Sequence, residues 1–199
     1  MKNMRLTIAL LTLTLAINLT GCSKTDGLSP EEEMLAADQY FIKFKVNGKL
    51  KVFANDNVNS VVLGTFNDLA DTGTGDQYAS GIIGTNDLNG DEAYLSITFS
   101  TFEETLLNTA YTDYEPNDPK IRAATFIAIY TVDEIIYGSV DEVFSATHPK
   151  YTSDSEISFI EVGEKFTKGR FSGTWYNVGS NDPSLKITEG EFYVPRLKK

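Results

Sequence analysis

Two alternating apolar and polar runs, joined by Asn47-Gly48, restrict the fold of this chain more than any other feature. Tyr40, Ile42, Phe44 and Val46 alternate with Phe41, Lys43 and Lys45 before the dipeptide; Leu50 and Val52 alternate with Lys49 and Lys51 after it. A period of two sends successive side chains to opposite faces of a strand. Asn-Gly supplies the two residues of positive φ that a type I′ turn requires, so the segment reads as a β-hairpin. Similar runs rich in Ile, Val, Thr, Phe and Tyr recur between turn-forming clusters at 61–66, 78–83, 94–99, 124–132, 135–140, 157–162, 170–178 and 185–194. These residue types fit a pleated, half-buried surface. The pattern predicts one all-β domain over 40–199, an antiparallel β-sandwich or open barrel of about ten short strands.

Helix signals are few. Ser29-Pro30-Glu31-Glu32 reads as an N-cap, a proline in the first turn and a capping-box acid, which predicts a short helix to about Ala37 or else an acidic linker. Thr101-Phe102-Glu103-Glu104, followed by Leu106 and Leu107, predicts one or two further helical turns. Asp113 to Lys120 carries Pro116 and Pro119 and reads as a loop excursion, and Asp68 to Asp76 as a flexible loop.

The N-terminus has a different logic. Lys2 and Arg5 precede an uncharged apolar run of 12 residues, Leu6 to Ile17. That is enough for a signal-peptide core and short of the roughly 18 residues a membrane-spanning helix needs. Leu19-Thr20-Gly21-Cys22 follows and resembles the bacterial lipobox. The resemblance implies a diacylglyceryl thioether on Cys22 and cleavage before it by signal peptidase II. Residues 1–21 are then a signal peptide and 22–39 a lipidated tether, long enough as a coil to set the domain about 25 Å from its anchor. Cys22 is the only cysteine, so no intramolecular disulfide can form in an oxidising compartment. Two or three acyl chains would hold the protein at a membrane without help from the folded part.

The formal charge of −11 becomes more negative once Lys2 and Arg5 are removed. An acidic chain is a poor partner for nucleic acid or for anionic lipid. The expected membrane contact is through the lipid on Cys22.

Catalytic chemistry has little to build on. His148 is the only histidine and stands in the loop-like Ser145 to Lys150, before Pro149. With Cys22 lipidated, neither a thiol nucleophile nor a Cys/His zinc site can be assembled. Glu103-Glu104 and Asp141-Glu142 are adjacent acids that read as solvated rather than as a glycosidase pair. Asn86 to Glu92 groups oxygen ligands around Gly90, as calcium prefers, but Thr85 and Ser96 fall where an EF-hand loop has its first Asp and last Glu. A hairpin turn at Asn89-Gly90 is the simpler reading. Thr72 to Gly75 is no P-loop, because Asp76 stands where the phosphate-binding Lys would be. No catalytic residue, metal or cofactor is expected, and the chain reads as non-enzymatic.

Aromatics are the remaining lead. In Phe171-Ser172-Gly173-Thr174-Trp175 the two-residue spacing puts Phe171 and Trp175 on the core face, which turns Tyr176 outward. Tyr193 is a similar candidate on the last strand.

Phe44 to Lys49, together with Gly169-Arg170-Phe171-Ser172-Gly173-Thr174-Trp175 and Ile187-Thr188-Glu189-Gly190-Glu191-Phe192-Tyr193-Val194, resembles small β-rich lipoproteins of Bacteroidota that end in a hairpin of the type SGTF…ITEGxFxV. Trp175 stands where those proteins more often have Phe. The resemblance implies a β-rich fold and no activity. Ser23 after Cys22 resembles the signal for release to the outer membrane, and the single nearby acid, Asp26, leaves both faces of that membrane open. The functional expectation is a cell-envelope lipoprotein acting as a binding or interaction module. The alternatives are a glycan-binding accessory lipoprotein in polysaccharide capture and an adhesin or assembly subunit.

Overall fold

Hairpins set the topology. The computed structural model describes residues 39–55, 60–71, 76–86, 93–115, 120–179 and 184–197, all within the unit Leu35–Lys199. The expected helix at 29–37 and the lipobox Leu19, Thr20, Gly21 and Cys22 lie outside the described residues. Along the chain come β1 (Phe41–Val46), β2 (Lys49–Ala54), β3 (Val61–Asp71), β4 (Asp76–Thr85), β5 (Tyr94–Thr101), β6 (Ala110–Thr112), β7 (Ile121–Arg122), β8 (Thr125–Val132) and β9 (Ile135–Gly138). Helix α1 (Glu142–Thr147) follows, then β10 (Glu156–Val162), β11 (Phe166–Asn177) and β12 (Leu185–Pro195).

The strands form one sheet in the order β2-β1-β12-β11-β9-β8-β5-β4-β3. A branch of β10, β6 and β7 leaves β11, and within it β7 runs parallel to β6. The sheet is antiparallel, barrel-like and nearly closed. Closure comes where the end of β12 crosses β3: Gly64 bridges Arg196, the Leu197 amide donates to Gly64 O at 2.9 Å, and Arg196 Nη2 donates to Phe66 O at 3.1 Å.

The β1–β2 hairpin is as the spacing predicts, with φ of 49° at Asn47 and 82° at Gly48. Asn47 also caps the start of β12, its Oδ1 accepting the Lys186 amide at 2.8 Å. Three expectations are corrected. Thr101 ends β5, and 102–109 is a series of turns rather than a helix. Two of its amides are taken by side chains of β3 and β6: Thr105 N donates to Asn67 Oδ1 at 2.7 Å and Leu106 N to Tyr111 Oη at 2.7 Å. Asp68 to Asp71 and Asp76 belong to the paired ends of β3 and β4, because the ladder continues past a bulge between Thr65 and Asp68. Ser145 to Thr147, read as loop-like, form the last turn of helix α1, which Asp141 caps at its start and His148 at its end. The short strands β6 and β7 had no legible pattern.

The interior is aromatic. Phe44 packs edge-on to Tyr130 with centroids 5.4 Å apart, Phe66 to Phe159 at 5.1 Å, and Phe159 to Phe192 at 5.2 Å; Phe99 stacks on Tyr111 at 4.7 Å. Rings of this size fit because glycine stands opposite two of them. Gly169 pairs with Phe192 and Phe171 with Gly190 across the β11–β12 ladder. A Cβ on Gly169 would lie 2.0 Å from Ser158 O and 2.4 Å from the Phe192 ring; on Gly190 it would lie 2.4 Å from Phe171 O. Gly169→Ala and Gly190→Ala should each destabilise the domain by roughly 2–4 kcal/mol through overpacking, read from urea unfolding. Gly179→Ala, where the nearest atom is 3.6 Å away, should change stability little.

Candidate ligand-binding site

Strand β11 changes neighbours along its length, and the candidate site lies at the change. Up to Ser172 it pairs with β10, while Tyr176 and Asn177 pair with β9. Trp175 points inward, 0 % exposed, and its Nε1–H donates to Ser155 Oγ at 3.2 Å. Tyr176, next in the chain, therefore turns outward.

Helix α1 supplies the facing wall. Asp141 is its N-cap, with Oδ1 accepting the Phe144 amide at 2.7 Å, and Glu142 adds an acid to the first turn. His148 closes the helix, and its ring stacks on Phe144 one turn earlier, 4.2 Å between centroids and 11° between planes. Tyr151 then sits 5.3 Å from Phe144 and meets Tyr176 edge-on at 4.6 Å. The three rings Phe144, Tyr151 and Tyr176 line an open cleft of about 590 Å³, completed by Gly138 to Asp141 and by Asn177 to Gly179. That volume suits a small ligand or one or two units of a polymer. Phe144 is 41 % exposed, so its face is available to a ligand.

The connection 148–155 carries Tyr151 and is tied down from below. Thr152 N donates to Tyr176 Oη at 2.6 Å. Asp154 accepts the Thr174 amide at 2.6 Å and the Thr174 hydroxyl at 2.7 Å. Asp113, which follows β6, takes Ser153 Oγ–H at 3.0 Å and Ser155 N–H at 3.1 Å on Oδ1. Its Oδ2 has no hydrogen-bond partner among the described residues. Only 5 % of Asp113 is exposed. It borders a second cavity of about 290 Å³, to which Arg122 and Asp141 also contribute, so Asp141 lies on both hollows. Arg122 in turn pairs with Glu115 at 3.3 Å and Glu142 at 3.4 Å.

Burial pushes the Asp113 carboxyl up from its ordinary 3.8 to about 6, against the opposing hydrogen bonds from Ser153 and Ser155. An acid whose folded-state pKa is raised favours folding in its neutral form. That contribution is fully present below about pH 4 and is lost as pH rises through 6, a change of about 3 kcal/mol. Asp113→Asn keeps a neutral group of the same shape. Urea unfolding should show the stability of the variant gaining on that of wild type by about 3 kcal/mol between pH 3 and pH 7. A difference that stays constant over that range would refute the assignment.

The residues singled out in the sequence are dispersed. His148 stacks outside the cleft on the back of Phe144, its Nδ1 2.9 Å from Thr147 Oγ1. Tyr193 sits in a separate outer cluster, with Tyr40 at 4.9 Å and Phe166 at 5.3 Å. Glu103 and Glu104 are exposed beside another hollow. Strands β4 and β5 form a hairpin whose base is Asn86 N donating to Ala93 O at 3.1 Å; residues 87–92 lie outside the described residues. Among the described residues no three His, Cys, Asp or Glu side chains gather as a metal-binding group. Of the earlier candidates, Tyr176 and Asp141 line the cleft. Asp141 had a legible signal, an N-cap residue followed by an acid; Asp113, Phe144 and Tyr151 had none.

No family model, no curated protein and no solved structure matches this chain.

Proposed function

We propose that this chain is a lipid-anchored cell-envelope protein, held by acyl groups on Cys22, whose barrel-like domain is a non-enzymatic binding module. The cleft between α1 and the β9–β11 junction is its ligand site. The observation that carries the reading is the wall formed by Phe144, Tyr151 and Tyr176, held by hydrogen bonds from Thr152 and around Asp113 and Asp154. Three rings of fixed orientation offer apolar area with little ordering cost on binding. The lipobox, with Cys22 as lone cysteine, supports the anchor.

The same wall favours a neutral glycan as the ligand class. A sugar ring has an apolar C–H face that packs on an aromatic plane, and Asp141 and Asn177 at the cleft offer polar groups for its hydroxyls.

Mass spectrometry of the protein from envelope fractions should find acyl groups on Cys22, and Cys22→Ser should leave the membrane pellet. A wild-type protein without fatty acid ends the anchor reading. For the site, affinity electrophoresis against a panel of neutral polysaccharides should show retardation. Phe144→Ala and Tyr176→Ala should weaken it at least fivefold, about 1 kcal/mol or more. No retardation by any polysaccharide rejects the glycan ligand; retardation that neither substitution alters moves the site elsewhere.

A further inference from the structure

The second hollow adjoins the ligand cleft, and a single segment of chain divides them. Gly138 to Asp141 lines the cleft. That segment is pinned to β8 at Ala128: Ser139 N donates to Ala128 O at 2.9 Å, and Ala128 N donates to Ser139 Oγ at 3.0 Å. The residues just before Ala128, from Ala124 to Ile127, line the hollow of about 290 Å³ together with Asp113, Arg122 and Asp141. Asp141 is exposed and borders both spaces. The hollow differs from the cleft in its chemistry. Where the cleft presents three rings, the hollow presents a guanidinium and two carboxyl groups. Both ion pairs of Arg122, with Glu115 and Glu142, run through Nη1, so the other N–H groups of its fork are open to a partner. Asp113 is the sharper sign. Its Oδ1 is engaged by Ser153 and Ser155, neither of which lines the hollow, while Oδ2 has no partner among the described residues. A buried carboxyl oxygen without a hydrogen bond costs stability unless something from outside supplies one.

We infer that this hollow is a second subsite of the same ligand site, and that the ligand is a glycan chain of at least three units rather than a free sugar. The inference rests on the glycan reading of the cleft. The cleft has room for one or two units and the hollow for one more. A chain stacked on Phe144 and Tyr176 leaves the cleft across Asp141, whose carboxylate accepts from hydroxyls on either side of the divide. Its next unit lies over Ala124 to Ile127, with hydroxyls toward Arg122 and Asp113. A guanidinium only donates and a carboxylate only accepts, so the two together satisfy neighbouring hydroxyls in both directions. Rings on one side of Asp141 and polar groups on the other suit a ligand that carries apolar faces and hydroxyls along its length. A single sugar in the cleft would leave Asp113 Oδ2 as it is, without a donor.

The test uses the full chain, purified in a zwitterionic detergent that carries no sugar. Calorimetric titration is made with malto-, cello-, laminari- and manno-oligosaccharides of two, four and six units. In a series that binds, four units should bind at least tenfold more tightly than two, with little further gain at six. Ala124 is exposed at the hollow, and its backbone amide donates to Ser100 O whatever the side chain. Ala124→Tyr therefore fills the hollow; it should cancel the gain from two to four units and leave two-unit binding unchanged. Arg122→Gln should cut that gain at least threefold, and it carries the test alone if the tyrosine disturbs the fold. Phe144→Ala should weaken binding at every length. Four units bound no more tightly than two, or a gain that survives these substitutions at the hollow, overturns the subsite; the cleft reading then stands on the Phe144→Ala result. No binding in any series, or binding that Phe144→Ala leaves unchanged, overturns both.

Discussion

Phe192 lies opposite Gly169, and two residues away Phe171 lies opposite Gly190. This reciprocal exchange of ring and glycine across β11 and β12 is the constraint on which the rest of the barrel depends. Large rings fill the interior, and these two stand opposite positions that contribute no Cβ. Gly169 and Gly190 supply those positions on adjacent strands, so the two backbones keep an ordinary ladder spacing while both rings point inward. Strand β12 then has β1 on its other side and β3 across its end, which makes its placement decisive for the first hairpin and for closure. The Gly-Phe pattern in the last 31 residues is thus a packing device.

The same strand that holds the core also positions the site. Alternation puts Trp175 in and Tyr176 out, and the side chains that follow β6 and α1 converge beneath them. Ser155 serves three neighbours at once: its hydroxyl accepts from Trp175, its amide is held by Asp113, and its Cα would lie 2.9 Å from a Cβ on Gly173, so that position leaves no room for a side chain. Core packing and cleft geometry are therefore coupled through a few residues. The cost is a buried carboxyl at Asp113, kept neutral over part of the acid range, in a place where an apolar residue would leave the Ser155 amide without an acceptor.

The outer wall has a different balance. Ion pairs such as Lys43–Glu191 are partly exposed and add little to stability individually. They connect β1 to β12 along the register that sets the first hairpin beside the last strand.

Period-two alternation and turn chemistry act over a few residues, so they are legible without a structure. The chain alone determined the all-β class, the Asn47-Gly48 hairpin, the strand runs from 61 to 194, the inward face of Phe171 and Trp175, and the outward turn of Tyr176. It misread 101–107 as helical because helix signals are local, whereas Asn67 and Tyr111, which claim those amides, come from other strands. It also took 68–76 for a loop, since polar composition hides a ladder that continues past a bulge. The cleft was invisible for the same reason. Phe144 and Tyr151 precede Tyr176 by 32 and 25 residues and line the cleft with it only because β11 passes from β10 to β9. What depends on neighbours in the chain was readable; what depends on neighbours in space was decided by the tertiary fold.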